Sequence, residues 1–100
     1  MKLSEIAQVV RSKNAGPRRL TLDVMFANDA DYQHVAQSPA MGVAAIGMLY
    51  RVPADQVTII PYAAGRAIKI VLARALMAGD PGDVDVYGAQ QHSPLLGIEI

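Results

Sequence analysis

Two short polar segments carry the side chains that could perform chemistry in this otherwise apolar chain. The first has the sequence RSKNAG, from Arg11 to Gly16. Arg11 and Lys13 can hold a carboxylate or phosphate group, and backbone N–H groups in a glycine-containing loop can add to an anion site. Ser12 and Asn14 would complete this ligand-binding set. The alternative is a solvated loop in which Asn14 and Gly16 serve only the turn.

The second segment, YGAQQH at residues 87–92, places two amides beside an imidazole. Gln90 and Gln91 offer donors and acceptors for a ligand, and His92 titrates near neutral pH, which suits proton transfer. The alternative for His92 is a hydrogen-bonded residue on the surface or at an interface. We expect the two polar segments to meet at one edge of the folded sheet and to share a site.

Lys69 is the second candidate catalytic residue, because it stands between Ile68 and Ile70. A lysine on the flank of an apolar stripe usually extends its amine to water, whereas burial would favour the neutral amine. His34 and His92 are the only histidines and cysteine is absent, so we predict no metal site and no cofactor. The chain also lacks the glycine patterns that bind nucleotide phosphates.

Length, charge and apolar content argue against several classes of protein, among them nucleic-acid-binding and membrane-spanning proteins. The chain has 100 residues, 52% of them hydrophobic, and a formal net charge of zero. This length predicts a single domain over residues 1–100. Zero net charge argues against general nucleic-acid binding and favours self-association, so a homo-oligomer is expected. No apolar run is long enough to span a membrane, and no signal peptide is visible, which predicts a cytoplasmic protein.

Hydrophobic periodicity predicts alternating helices and strands. The predicted elements are a helix from Ser4, a loop over 11–19, a strand over 20–26, a helix over 40–50 capped by Ser38 with Pro39, a strand over 56–60, a helix over 65–77, and strands over 84–87 and 95–100. The segment 65–77 is ambiguous, because AIKIVLA also alternates as a strand does. This order indicates an α+β fold, a two-layer sandwich with helices on one face of a small mixed sheet.

Four segments carry a resemblance to a known family: RSKNAGP from residue 11, LTLDVMF at 20–26, AIKIVLAR at 67–74 and DVDVYGAQQHSPLL at 83–96. Together they resemble a bacterial family of small proteins with no assigned function. That family usually occurs beside, or fused behind, a large protein similar to the acyclic terpene utilisation proteins. The C-terminal domain of the large protein is ferredoxin-like and carries an ARSGDKG-type loop, where this chain has VRSKNAG. The resemblance implies a ferredoxin-like small subunit that lacks the acidic and lysine positions of that loop.

Three functions follow as hypotheses. The resemblance implies an accessory subunit of a catabolic enzyme complex, which partners an acyclic terpene utilisation-like large protein and acts on a carboxylic acid or acyl-CoA. The second hypothesis is a stand-alone homo-oligomeric lyase or isomerase that uses His92 and Lys69, with a site built across an interface. The third is a non-catalytic module that binds a small ligand. Fold alone does not choose among them.

Overall fold

The computed structural model describes residues 1–16, 19–73 and 93–100. Eight regular elements follow one another along these residues, separated by short 3₁₀ turns. They are α1 (Leu3–Ile6), β1 (Val9–Gly16), β2 (Arg19–Met25), α2 (Asp29–Ala36), α3 (Val43–Tyr50), β3 (Val57–Tyr62), β4 (Ala67–Ala73) and α4 (Ser93–Leu96). The helices among these residues are all too short to cross a bilayer as an apolar span.

The four strands form one sheet in the order β1-β2-β4-β3, and every neighbouring pair is antiparallel. At its centre Leu22 pairs with Ser12 on one side and with Ile70 on the other. Ile70 in turn pairs with Ile59. The sequence predicted a mixed sheet, whereas these four strands are purely antiparallel, because each hairpin returns the chain directly and the helices join one hairpin to the other.

Successive side chains of a strand point to opposite faces of a sheet, and here one face holds the core. The strand residues that are almost completely buried on it are Leu20, Leu22, Val24, Ile68, Ile70 and Leu72. The helical segments add to the same cluster: Leu3, Tyr32, Val35, Met41, Ile46 and Leu95. The described helices therefore cover one face of the sheet, and the predicted α+β sandwich is confirmed.

The described elements connect as a strand hairpin, then helices, then a second strand hairpin. A ferredoxin-like chain instead runs β-α-β-β-α-β. The described residues share with that fold the two layers, a four-stranded antiparallel sheet under helices. They differ from it in the order in which strands and helices follow along the chain.

Helix starts follow local capping chemistry. Asn28 caps α2, since its side-chain oxygen accepts a hydrogen bond of 2.8 Å from the Asp31 backbone N–H. The Ser38 hydroxyl accepts from the Ala40 backbone N–H at 3.3 Å, with Pro39 at the first position of a 3₁₀ turn. This cap confirms the sequence prediction for Ser38 and Pro39, although the α-helix itself begins at Val43.

Four local predictions were wrong. The helix predicted from Ser4 to Val10 is a single turn, Leu3–Ile6, and Val9 and Val10 belong to β1. The predicted loop over 11–19 is mostly strand, because β1 continues to Gly16 and pairs along its length with β2. The segment predicted as a helix over 65–77 contains the strand β4, Ala67–Ala73, in which every second residue faces the core. The predicted strand over 95–100 begins as the short helix α4. The predicted strand over 84–87 lies outside the described residues.

The two ends of the described chain lie side by side. The Leu3 backbone N–H donates to the Ile98 carbonyl at 2.9 Å, and the Ile100 N–H donates to the Met1 carbonyl at 3.0 Å. Tyr50, at the end of α3, has a hydrogen bond to the Leu95 backbone. Burial raises the pKa of the Tyr50 phenol, and the Leu95 hydrogen bond partly lowers it. The C-terminal segment is thus part of the core layer.

Candidate functional site

The sheet face turned away from the described helices is the candidate site, and we call it the outer face. Strand alternation and register place these residues on it: Val9, Arg11, Lys13, Arg19, Thr21, Asp23, Met25, Thr58, Ile60, Tyr62, Ala67, Lys69, Val71 and Ala73. Many of these side chains are exposed, Tyr62 at 62% and Ile60 at 46%. Thr21 is only 4% exposed, so the part of the face that the described residues leave open to a ligand or a partner is the part around the exposed side chains.

Charged residues form a row across the middle of the outer face. Asp23 pairs with Arg11 on one neighbouring strand and with Lys69 on the other. Directly opposed residues on antiparallel strands have Cβ atoms about 5 Å apart. The Arg11 Nε lies 3.6 Å from the Asp23 Oδ2, and the side chain of Asp23 is only 18% exposed. A largely covered carboxylate therefore lies between two cations.

Cations outnumber acids on this face. Lys13 and Arg19 are also exposed outer-face residues, so four cations share the face with one carboxylate, Asp23. The other acids in the described residues lie outside the strands: Glu5, Asp29, Asp31, Asp55 and Glu99. Of these, Asp55 lies near the Arg19 end of the face, because both residues line the same cavity. Although the formal net charge of the chain is zero, the described residues of the outer face carry an excess of positive charge.

Apart from Thr21 and Thr58, the uncharged residues of the outer face are apolar. One apolar residue from each strand forms a row across the sheet: Val9, Met25, Ala67 and Tyr62. Ile60 of β3 pairs with Lys69 of β4. Val9 is 40% exposed. An apolar row therefore runs next to the charged row, which makes the outer face amphipathic.

An open cavity of about 550 Å³ lies at one end of the sheet. Its lining combines a cation, a carboxylate, amide and hydroxyl groups, and aliphatic side chains. The lining residues are Arg19, Asp55, Gln56, Thr58, Val71, Leu72 and Ala73. Arg19, Thr58 and Val71 belong to the outer face as well, so the cavity continues from it.

A family model described as a domain of unknown function, DUF4387, matches residues 3–99. The chain belongs to the DUF4387 family. A search of curated proteins found no match, and a search of solved structures found none either. Because the DUF4387 match spans all four described strands, the outer face and its cavity are part of the family domain.

The structure brings three of the residues predicted for the site together. Arg11, Lys13 and Lys69 share the outer face of this DUF4387 domain. The sequence placed Arg11 and Lys13 in a loop and Lys69 on a helix, whereas all three are strand residues. Lys69 is exposed, so its side chain is accessible from the outer face.

Of the other predicted residues, Ser12 is described in full and lies away from this group. Ser12 is 9% exposed and pairs with Leu22, on the core side of the sheet. The backbone of Asn14 pairs with Leu20. Gln90, Gln91 and His92 lie outside the described residues, so the meeting of the two polar segments stays a prediction. Among the described residues, no group of three or more His, Cys, Asp or Glu side chains is arranged to hold a metal ion.

Sequence reasoning did not identify Arg19 or the cavity as parts of a site, and it did not place Asp23 between Arg11 and Lys69. Alternation in LTLDVMF does predict that Asp23 faces away from the core, and the structure confirms this direction. What the sequence does not contain is the pairing of β2 with β4, which sets Lys69 beside Asp23. The sequence did contain one usable signal: AIKIVLA at 67–73 alternates as a strand does, and a strand there would have placed Lys69 on a sheet face.

Proposed function

We propose that this DUF4387 domain is an accessory subunit that docks through its outer face onto a larger enzyme component. The complex would act on a carboxylic acid or acyl-CoA in catabolism. An acyclic terpene utilisation-like large protein is the proposed partner, which rests on the sequence resemblance alone. The amphipathic outer face, with a charged row beside an apolar row, is the observation that carries the proposal.

The apolar row supplies the reason to expect a protein partner. Sheets generally bury an apolar face against another layer, and exposed apolar patches bordered by polar residues mark interaction sites. Val9, Ile60 and Tyr62 give such a patch on two edge strands. A pleated face is also flatter than the concave pockets that enclose small molecules, so a protein surface suits it better.

The charged row defines the chemistry of that partner. Lys13 and Lys69 have no ion pair in the described parts of the chain, while Arg11 is paired with Asp23. A complementary surface would place acidic side chains over the lysines and apolar side chains over Tyr62. A second copy of this face would set cations against cations, and like charges across an interface oppose binding.

Affinity measurement with outer-face variants tests the docking. The domain is produced together with the large protein, and the dissociation constant is measured by titration calorimetry. We expect Lys69→Glu and Tyr62→Ser each to weaken binding by about tenfold or more, as truncation of interface anchors does. We also expect weaker binding as salt is raised, because exposed charges are screened.

Arg51→Asn is the matched control. Arg51 is exposed at the end of α3 and has φ 60°, a left-handed conformation that asparagine tolerates well. The change removes one positive charge from the helical layer and should leave binding unaltered. Turnover of carboxylic acids and their CoA esters should require both proteins. A large protein that is fully active alone, or that does not bind the domain, would overturn the proposal.

A further inference from the structure

The cavity at the end of the sheet carries an inference that does not depend on the proposed partner. Its position is fixed by paired strands: Arg19 at the start of β2 pairs with Ala73 of β4, and Thr58 of β3 pairs with Val71. Asp55 comes from the 3₁₀ turn Ala54–Gln56 that leads into β3. Residues from three neighbouring strands and one turn therefore line one concave surface.

The volume suits a small molecule. Pockets for small ligands span about 300 to 1,000 Å³ and combine apolar walls with a few polar groups. This cavity measures about 550 Å³ and has Val71, Leu72 and Ala73 among its lining residues. Gln56 and Thr58 add an amide and a hydroxyl to the same lining. The composition thus matches that of a ligand site.

Two opposite charges on the lining indicate which molecule would fit. Arg19 and Asp55 both line the cavity, yet the ion pairs of the described residues do not join them to each other or to another residue. An arginine binds a carboxylate through two parallel hydrogen bonds. An aspartate carboxylate only accepts hydrogen bonds, so it would bind a hydroxyl or ammonium donor and repel a second anionic group.

We propose that this cavity binds a small carboxylic acid that also carries a hydrogen-bond donor, either a hydroxyl or an ammonium group, on a short aliphatic body. The Arg19 guanidinium binds the carboxylate, and Asp55 accepts from the donor. Val71 and Ala73 contact the aliphatic part. Hydroxy acids and amino acids share this chemistry, and the two are separated by experiment.

Three matched probes test the assignment by titration calorimetry on the full chain. Valine carries carboxylate and ammonium, 2-hydroxyisovalerate carries carboxylate and hydroxyl, and isovalerate carries the carboxylate alone. We expect one of the first two to bind at least about tenfold more tightly than isovalerate, because a site built to pair with a donor rejects the analogue that lacks it. The tighter of the two identifies the donor group.

Two variants assign the roles. Arg19→Gln should abolish detectable binding of every probe, and Asp55→Asn should reduce the preferred probe to the affinity of isovalerate. Arg51→Asn should bind as the unaltered chain does, because Arg51 is not among the lining residues. The absence of binding of any probe up to about 10 mM would overturn the proposal. Equal binding of isovalerate, or an Asp55→Asn variant with unchanged affinity, would also overturn it. None of these changes touches Lys69 or Tyr62, so failure here leaves partner docking to its own test.

Discussion

Gly47 shows at the scale of one residue how tightly α3 packs on the turn that follows it. A Cβ atom added at Gly47 would lie 2.7 Å from the Val52 carbonyl oxygen and 3.5 Å from the Ala54 Cα. The Val52 backbone N–H donates to the Gly47 carbonyl at 2.9 Å, which holds the turn in place. The missing side chain therefore permits the chain to return closely against the helix.

We expect Gly47→Ala to lower the free energy of unfolding, by up to about 2 kcal/mol. Alanine favours a helix over glycine by about 1 kcal/mol, but displacing packed backbone costs about 1 to 3 kcal/mol, and the close oxygen belongs to backbone that is itself hydrogen-bonded. Urea unfolding at 25 °C measures the difference. Gly97→Ala is the control, since nothing lies within 4 Å of a Cβ there. A Gly47→Ala protein as stable as this control would contradict the packing.

At the scale of elements, β4 is the strand that decides the fold. A helix over this segment would place Ile68, Val71 and Leu72 on one face, whereas the strand buries Ile68, Ile70 and Leu72 and turns Val71 to the outer face. Ile70 is fully buried and pairs with Leu22 and Ile59. The two structures therefore differ in whether Ile70 or Val71 contributes to the core.

We expect Ile70→Ala to lower the free energy of unfolding by about 2 to 5 kcal/mol, the usual cost of truncating a buried isoleucine. Val71→Ala, one residue away and half-buried on the outer face, should cost less than about 1.5 kcal/mol, because fewer buried carbons are lost. Denaturant unfolding of both variants provides the measurement. The reverse order of the two effects would indicate a helical segment.

The strands β2 and β1 show why one strand was predicted from the sequence and the other was not. The strand over 20–26 was predicted because its alternation is long and regular, and β2 covers most of it. Over residues 11–13 of β1 the inward and outward residues are all polar, because Arg11 and Lys13 face outward and Ser12 faces the core. The sequence there therefore shows no alternation of apolar and polar residues. β1 pairs with β2 only and is an edge of the described sheet, and edge strands tolerate charged residues.

The site was less predictable than the fold for a reason of topology. Arg11 and Lys13 were identified from residue type, and this is local information. Their association with Lys69 needs β2 to pair with both β1 and β4 in a fixed register. A shift of one residue would turn Lys69 toward the core, and the sequence of β4 alone does not state its partner.

At the scale of the whole molecule, the two chain ends are joined to the core layer. Leu95 and Leu3 are both fully buried, and a backbone ribbon links Leu3 to Ile98 and Met1 to Ile100. Terminal segments usually fray unless they are held by contacts of this kind. The last eight residues should therefore unfold together with the sheet and not before it.

We expect Leu95→Ala to lower the free energy of unfolding by about 2 to 4 kcal/mol, the range for a buried leucine truncated to alanine. Leu96→Ala, half-buried in the same helix, should cost about 1 kcal/mol, because it removes less buried surface. Native-state hydrogen exchange tests whether the effect is global. The Leu3 amide, bonded to Ile98, and the sheet amide of Leu22 should lose protection by the same factor in Leu95→Ala. Faster exchange at Leu3 with unchanged protection at Leu22 would mean that the joined ends open as a separate unit of low stability, and the core layer would then be complete without them.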